Sequence, residues 1–155
     1  MKFIIFIIFL VIIYFVLKNT KSKKSNFKIV EKNLYKANQL MTKNEIEFFN
    51  RLVKAFPDCY VFPQVAFSAL ISPNTNDFSK NNTIKNTYNR LRTDFILYKE
   101  NKVIAVVELD DKTHKNNENK DIKRDNMLND AGYSVYRFES TNKPSIETLK
   151  NTIKI

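Results

Sequence analysis

Two apolar runs, Leu91–Tyr98 and Val103–Leu109, lie only four residues apart, with Glu100-Asn101 between them. So short a connection leaves no room for a crossover and predicts an antiparallel hairpin. Each run carries a carboxylate. Asp94 interrupts the first, and Glu108 closes the second, just ahead of Asp110, Asp111 and the chain's only histidine, His114. A carboxylate in an apolar strand is costly unless it is paired, hydrogen-bonded or bound to a metal. The hairpin is therefore both the expected centre of the fold and the first place to look for chemistry.

The flanking pattern builds a mixed α/β (α+β) domain around it. Thr42-x-x-Glu45 is a capping-box signature. Ile46, Phe49, Leu52, Val53 and Phe56 follow at helical spacing, and the helix should stop before Pro57. Tyr60–Phe67 reads as a strand with an edge or irregular start at Pro63. Residues 72–87 are polar and are expected to form a surface loop. Lys115–Ala131 reads as a helix with Ile122, Leu128 and Ala131 as core contacts, Met127 beside them, and Gly132 as its cap. A strand over Tyr133–Phe138 and a short helix over Pro144–Ile153 complete the order: helix, three strands, helix, strand, helix.

The N-terminus is a different kind of sequence. Phe3–Leu17 is an uninterrupted run of aliphatic and aromatic residues bracketed by Lys2 and Lys18. As a helix it spans roughly 22 Å at ~1.5 Å per residue, short of a ~30 Å hydrocarbon core, a mismatch that snorkelling lysines and local thinning absorb. A signal peptide shares this layout, but no small-x-small cleavage site follows. A buried soluble helix is disfavoured by apolarity on every face. The reading is a single-pass anchor (residues 1–18), a lysine-rich linker (19–38) and one domain (39–155). Five lysines between 18 and 28 place that domain in the cytoplasm by the positive-inside tendency.

Those lysines also account for most of the charge. The chain carries a formal +10, but six of its 26 basic residues precede position 29, so the rest is only about +4. Overall charge therefore does not argue for a nucleic-acid partner. One glycine excludes P-loops and dinucleotide fingerprints, and hence a nucleotide cofactor bound that way. One cysteine, Cys59, excludes an intrachain disulfide and a multi-cysteine zinc site.

Which residues could act? If the strands bring Asp94 and Glu108 together, repulsion favours a cation between them, and oxygen ligands with water suit Mg²⁺ or Mn²⁺. The alternative is two solvated strand-end carboxylates paired with Arg90, Arg92 or Lys102. Alternation sets Asp110 on the face of Glu108, which favours the metal reading, with Asp94, Glu108 and Asp110 as the expected ligands. His114 has the pKa range of a general base. Asp121, Arg124 and Asp125 share a helix face; they are either a surface ion pair or a phosphate-contacting or carboxylate-orienting group. Glu45 either only caps its helix or also approaches the metal through water.

Taken together, Thr42-x-x-Glu45, Phe62-Pro-Gln-Val65, Asp94-Phe95, Glu108-Leu-Asp110-Asp111-x-x-His114, Arg124-Asp125 and Gly132 resemble an uncharacterised bacterial family, domain of unknown function 2726, over roughly residues 38–140. That family is similar to the PD-(D/E)XK nuclease superfamily, near the very-short-patch repair endonucleases. The resemblance implies a restriction-endonuclease-like αβββαβ core and metal-dependent phosphodiester hydrolysis, DNA before RNA. By the same resemblance Asp94 and Glu108 match the two motif acids, and Glu45 matches a helix glutamate that assists the metal. The superfamily's usual lysine falls at Asp110. Lys112 or, preferably, His114 would then replace it. The function expected is a membrane-anchored nuclease, with an inactive nuclease-fold module binding nucleic acid or protein at the membrane as the alternative.

Overall fold

The computed structural model describes residues 11–14, 34–110 and 118–155. The chain divides into two units, residues 1–37 and 38–155. Of the apolar N-terminal run, residues 11–14 are helical and exposed; the rest of Phe3–Leu17 lies outside the described residues. None of the described helices is long and apolar enough to cross a membrane.

The second unit is a four-stranded mixed sheet with helices on both faces. Helix α1 (Lys43–Ala55) starts at a complete capping box: the Glu45 N–H donates to Thr42 Oγ1 at 3.3 Å, and the Thr42 N–H donates to Glu45 Oε2 at 2.5 Å. Strand β1 (Tyr60–Ala66) runs into the short helix α2 (Phe67–Leu70). Helix α3 (Phe78–Tyr88) precedes the hairpin of β2 (Arg92–Lys99) and β3 (Lys102–Asp110). Helix α4 (Glu118–Asp130), strand β4 (Val135–Glu139), a 3-10 turn (Ser140–Asn142) and helix α5 (Ile146–Thr152) follow. The sheet order is β1-β2-β3-β4, antiparallel except for the β3–β4 pair. The expected hairpin thus forms, and its two-residue turn has positive φ at both Glu100 (50°) and Asn101 (62°). That is the left-handed pair a tight hairpin of matching twist requires.

One face of the sheet is sealed by α1 and α5. Phe48, Leu52 and Ala55 of α1, with Leu149 and Ile153 from α5 and its end, pack on Phe95, Leu97, Ala105 and Val107 of the hairpin. Arg51 ties the layer together by donating to the carbonyls of Lys143 (3.0 Å) and Pro144 (2.8 Å). The expected α1 stripe is rotated by about one residue. Phe48 is fully buried, whereas Ile46 (38% exposed) and Val53 (42%) sit at the margin.

Helices α2, α3 and α4 cover the other face through Phe67, Tyr88 and Leu128, against Ile96 and Val106. Two expectations fail here. The polar segment 72–87 is not simply loop, because α3 occupies 78–88. Asp77 caps it by accepting the Lys80 N–H at 3.0 Å, and a helix this polar shows no apolar period in sequence. Ile122 is 57% exposed and Ala131 is exposed, although Leu128 is buried as expected. Helix α4 turns Asp121, Arg124, Asp125 and Leu128 inward instead, because this part of the sheet offers it charge. The helix ends in a Schellman arrangement around Gly132, φ 89°. The Gly132 N–H donates to the Asn129 carbonyl and the Tyr133 N–H to that of Leu128.

Candidate functional site

The register of the sheet assembles the site. Glu108 of β3 pairs with Arg137 of β4. Continuing the Phe95↔Val107 alignment by one residue sets Asp94 across from Glu108. The pairs Pro63↔Phe95 and Val65↔Thr93 set Gln64 across from Asp94. A single row, Gln64–Asp94–Glu108–Arg137, therefore crosses all four strands beside α4. The next row inward contains Ile96, Val106 and Val135, which belong to the apolar core. The polar row is where that core ends.

Asp94 and Glu108 form the centre. Glu108 is only 2% exposed. Burial, then the neighbouring Asp94 charge, push its carboxyl up to about 8, against the pull of Arg124 and Arg137. Asp94 is also raised, first by burial and then by the Glu45 charge, while the Leu109 N–H, which donates to Asp94 Oδ2 at 2.9 Å, pulls the other way. With the Glu108 carboxyl at about 8 and Asp94 raised beside it, the pair retains a proton near neutral pH.

Two arginines hold the flank. Arg124 donates to Glu108 Oε1 at 3.3 Å and to the Arg92 carbonyl at 2.8 Å. Its guanidinium lies 5.7 Å from the Phe67 ring centroid. Arg137 grips Asp125 with two nitrogens, both at 2.8 Å, and donates to Asp110 Oδ1 at 2.6 Å. These contacts raise the Arg137 pKa, the Asp125 hydrogen bonds first. On the other flank Gln64 Nε2 donates to Glu45 Oε1 at 3.0 Å. Gln64 has φ 55° in the middle of a strand, a conformation that costs a non-glycine residue ~1–3 kcal/mol and clusters at functional sites.

Of the residues expected to act, Asp94, Glu108, Glu45 and Arg124 are brought together, Glu45 as both cap and neighbour of Asp94. Arg124 orients a carboxylate, and Asp125 takes part through Arg137. Asp110 shares the face of Glu108, but its carboxylate is engaged by Arg137. Lys112 and His114, with Asp111, lie outside the described residues. Gln64 and Arg137 were not singled out as site residues. The signals for them were a glutamine after Pro63 in an aromatic strand and a lone arginine in an otherwise apolar one.

The donor set suits a hard divalent cation in one respect: two adjacent carboxylate oxygens whose repulsion a cation would relieve in place of the proton. Among the described residues no group of three or more His, Cys, Asp or Glu is disposed to hold a metal, so solvent would complete the shell, as is usual for Mg²⁺.

A family model described as "Protein of unknown function (DUF2726)" matches residues 37–155. No curated protein and no solved structure matches the chain.

Proposed function

From its membership of the DUF2726 family and the geometry of its polar row, we propose that this protein is a divalent-metal-dependent nuclease that hydrolyses phosphodiester bonds in DNA. The observation that carries the reading is the pair of buried Glu108 and half-buried Asp94, set opposite each other at the point where the sheet's core ends, with pKa values driven upward. Such a pair stores an unfavourable interaction that positive charge relieves.

Asp94 and Glu108 would hold Mg²⁺ or Mn²⁺, with Glu45 behind Asp94 reaching it through water. The chemistry a divalent cation supplies when bound at such a pair is charge stabilisation on the phosphoryl oxygens and a hydroxide near neutral pH. Gln64 fixes Glu45, and the Leu109 N–H fixes Asp94. Arg124 keeps Glu108 aligned and presents positive charge beside it. His114 is assigned the attacking water's proton and Lys112 a phosphate contact. A lipid-bilayer anchor over residues 3–17, with the domain on the cytoplasmic side, belongs to the same proposal.

Incubating the full chain with single- and double-stranded DNA and either cation tests the reading. Cleavage is expected, and Asp94→Ala should reduce it by ~10²–10³-fold, the scale set when a principal electrostatic group is removed. No cleavage of DNA or RNA with either metal would sink the enzyme reading; unchanged activity in Asp94→Ala would sink the site. One observation favours a second reading, a non-cutting module that binds nucleic acid or protein. The superfamily's lysine position is Asp110, and Arg137 neutralises it at 2.6 Å. That reading expects binding without cleavage and no affinity for either cation.

A further inference from the structure

Beside the polar row lies a cavity of about 340 Å³, with Lys120, Lys123 and Arg124 of α4 along one side and Thr87 and Leu91 on the other. Met127 supplies an apolar floor, and Asp121 also lines it. Its size is at the small end of ligand pockets, roughly 300–1,000 Å³. That suits one nucleotide unit better than an extended cofactor.

Three features make the cavity selective for an anion. Lys120 and Lys123 form no ion pair among the described residues, and both line the cavity. The one acid in the lining, Asp121, lies between arginines, 3.8 Å from Arg124 and 3.9 Å from Arg137. Arg124 forms the partition between cavity and carboxylate pair, since it donates to Glu108 while lining the cavity. Its Nε is buried with no hydrogen-bond partner among the described residues. An orphaned guanidinium N–H is costly in a folded protein and marks a place where an acceptor belongs.

We propose that this cavity seats a backbone phosphate of the substrate strand, the one next to the phosphate at Asp94–Glu108, held by Lys120 and Lys123 with Arg124 linking the two positions. The proposal rests on the nuclease reading and gives it a strand path: along the α3–α4 side of the row, away from the Gln64 edge. It also supplies the local positive charge that the mild overall charge of the domain lacks.

The test is fluorescence anisotropy of the full chain with a labelled single-stranded DNA oligonucleotide, in chelator so that no cleavage occurs, over a range of KCl concentrations. The double variant Lys120→Gln/Lys123→Gln should bind at least about tenfold more weakly at low salt. Its log–log salt slope should be shallower by about 0.7, the value for one phosphate contact on a single strand. A control of equal charge change at the hairpin turn, Lys99→Gln/Lys102→Gln, should keep the wild-type slope. Equal losses in both double variants, or none in the first, would overturn the inference. A mononucleotide that displaces the oligonucleotide through the two lysines while binding more tightly than it does would also overturn it, by assigning the cavity to a small ligand. The two readings fail separately. Cleavage by a wild-type chain whose binding ignores Lys120 and Lys123 leaves the nuclease and removes the cavity. Lysine-dependent binding with no cleavage in either metal does the reverse.

Discussion

The two faces of the sheet solve different problems with the same two central strands. Under α1 and α5 the hairpin contributes Phe95, Leu97, Ala105 and Val107, and the helices answer with Phe48, Leu52 and Leu149, all within one apolar cluster. Under α2–α4 the same strands contribute Ile96 and Val106, then give way to Asp94 and Glu108. There the helix responds with Arg124, Asp121 and Asp125. The first face stabilises the domain. The second gives up apolar burial over one row, and in return the fold holds a charged group of defined geometry. Apolar burial is worth ~25 cal/mol per Å², whereas buried ion pairs roughly break even. The α1–α5 face must therefore stabilise the other.

That contrast should be easiest to break on the apolar side. Phe48→Ala removes a fully buried ring that packs on Phe95 and Phe138 at centroid separations of 5.8 and 5.7 Å. It should cost about 4 kcal/mol in urea unfolding, with the affinity of any folded fraction for cations unchanged. A loss below about 1 kcal/mol would mean that this face is not the main source of stability.

On the charged side the expected costs are smaller. Arg137→Met leaves Asp125 and Asp110 without their partner. Both are partly exposed, so solvent screens much of the effect and the loss should be about 1–2 kcal/mol, shrinking as salt is added. Glu108→Gln should go the other way. The folded Glu108 pKa, about 8, lies above the ordinary 4.5. The folded state therefore holds a proton that the unfolded state has lost between those values. In metal-free protein this contribution is fully present below pH 4.5 and disappears as pH rises through 8. The amide keeps a hydrogen-bonding group without that titration. Above pH 8 the variant should be more stable than wild type by no more than about 5 kcal/mol, the ceiling that a rise from 4.5 to about 8 sets at ~1.4 kcal/mol per pKa unit. The pH slope of thermal unfolding should flatten accordingly. A wild-type slope unchanged in the variant would place the raised carboxyl elsewhere.

The contrast also sets what could be read in advance. The hairpin, α1 with its capping box, Gly132 and the terminal helix were legible because each rests on local pattern: period, turn length and cap chemistry. Helix α3 was not, since a polar helix held by Asp77 and one buried tyrosine carries no stripe. Ile122 misled for a related reason. Periodicity assumes that a helix buries its apolar face, and α4 buries the charged one to meet Glu108 and Arg137. Asp94 and Glu108 stood out as acids inside apolar strands. Gln64 and Arg137 join them only through strand register, which pairs residues far apart in sequence and leaves no local trace.

The most direct test of the central claim is calorimetric titration of the full chain with Mn²⁺ at pH 7, in two buffers that differ in ionisation enthalpy. If Asp94 and Glu108 share a proton that a cation replaces, binding should release about one proton per ion, and Glu108→Gln should abolish the release. Cation binding with the same heat in both buffers, or no binding by the wild-type chain, would contradict the account.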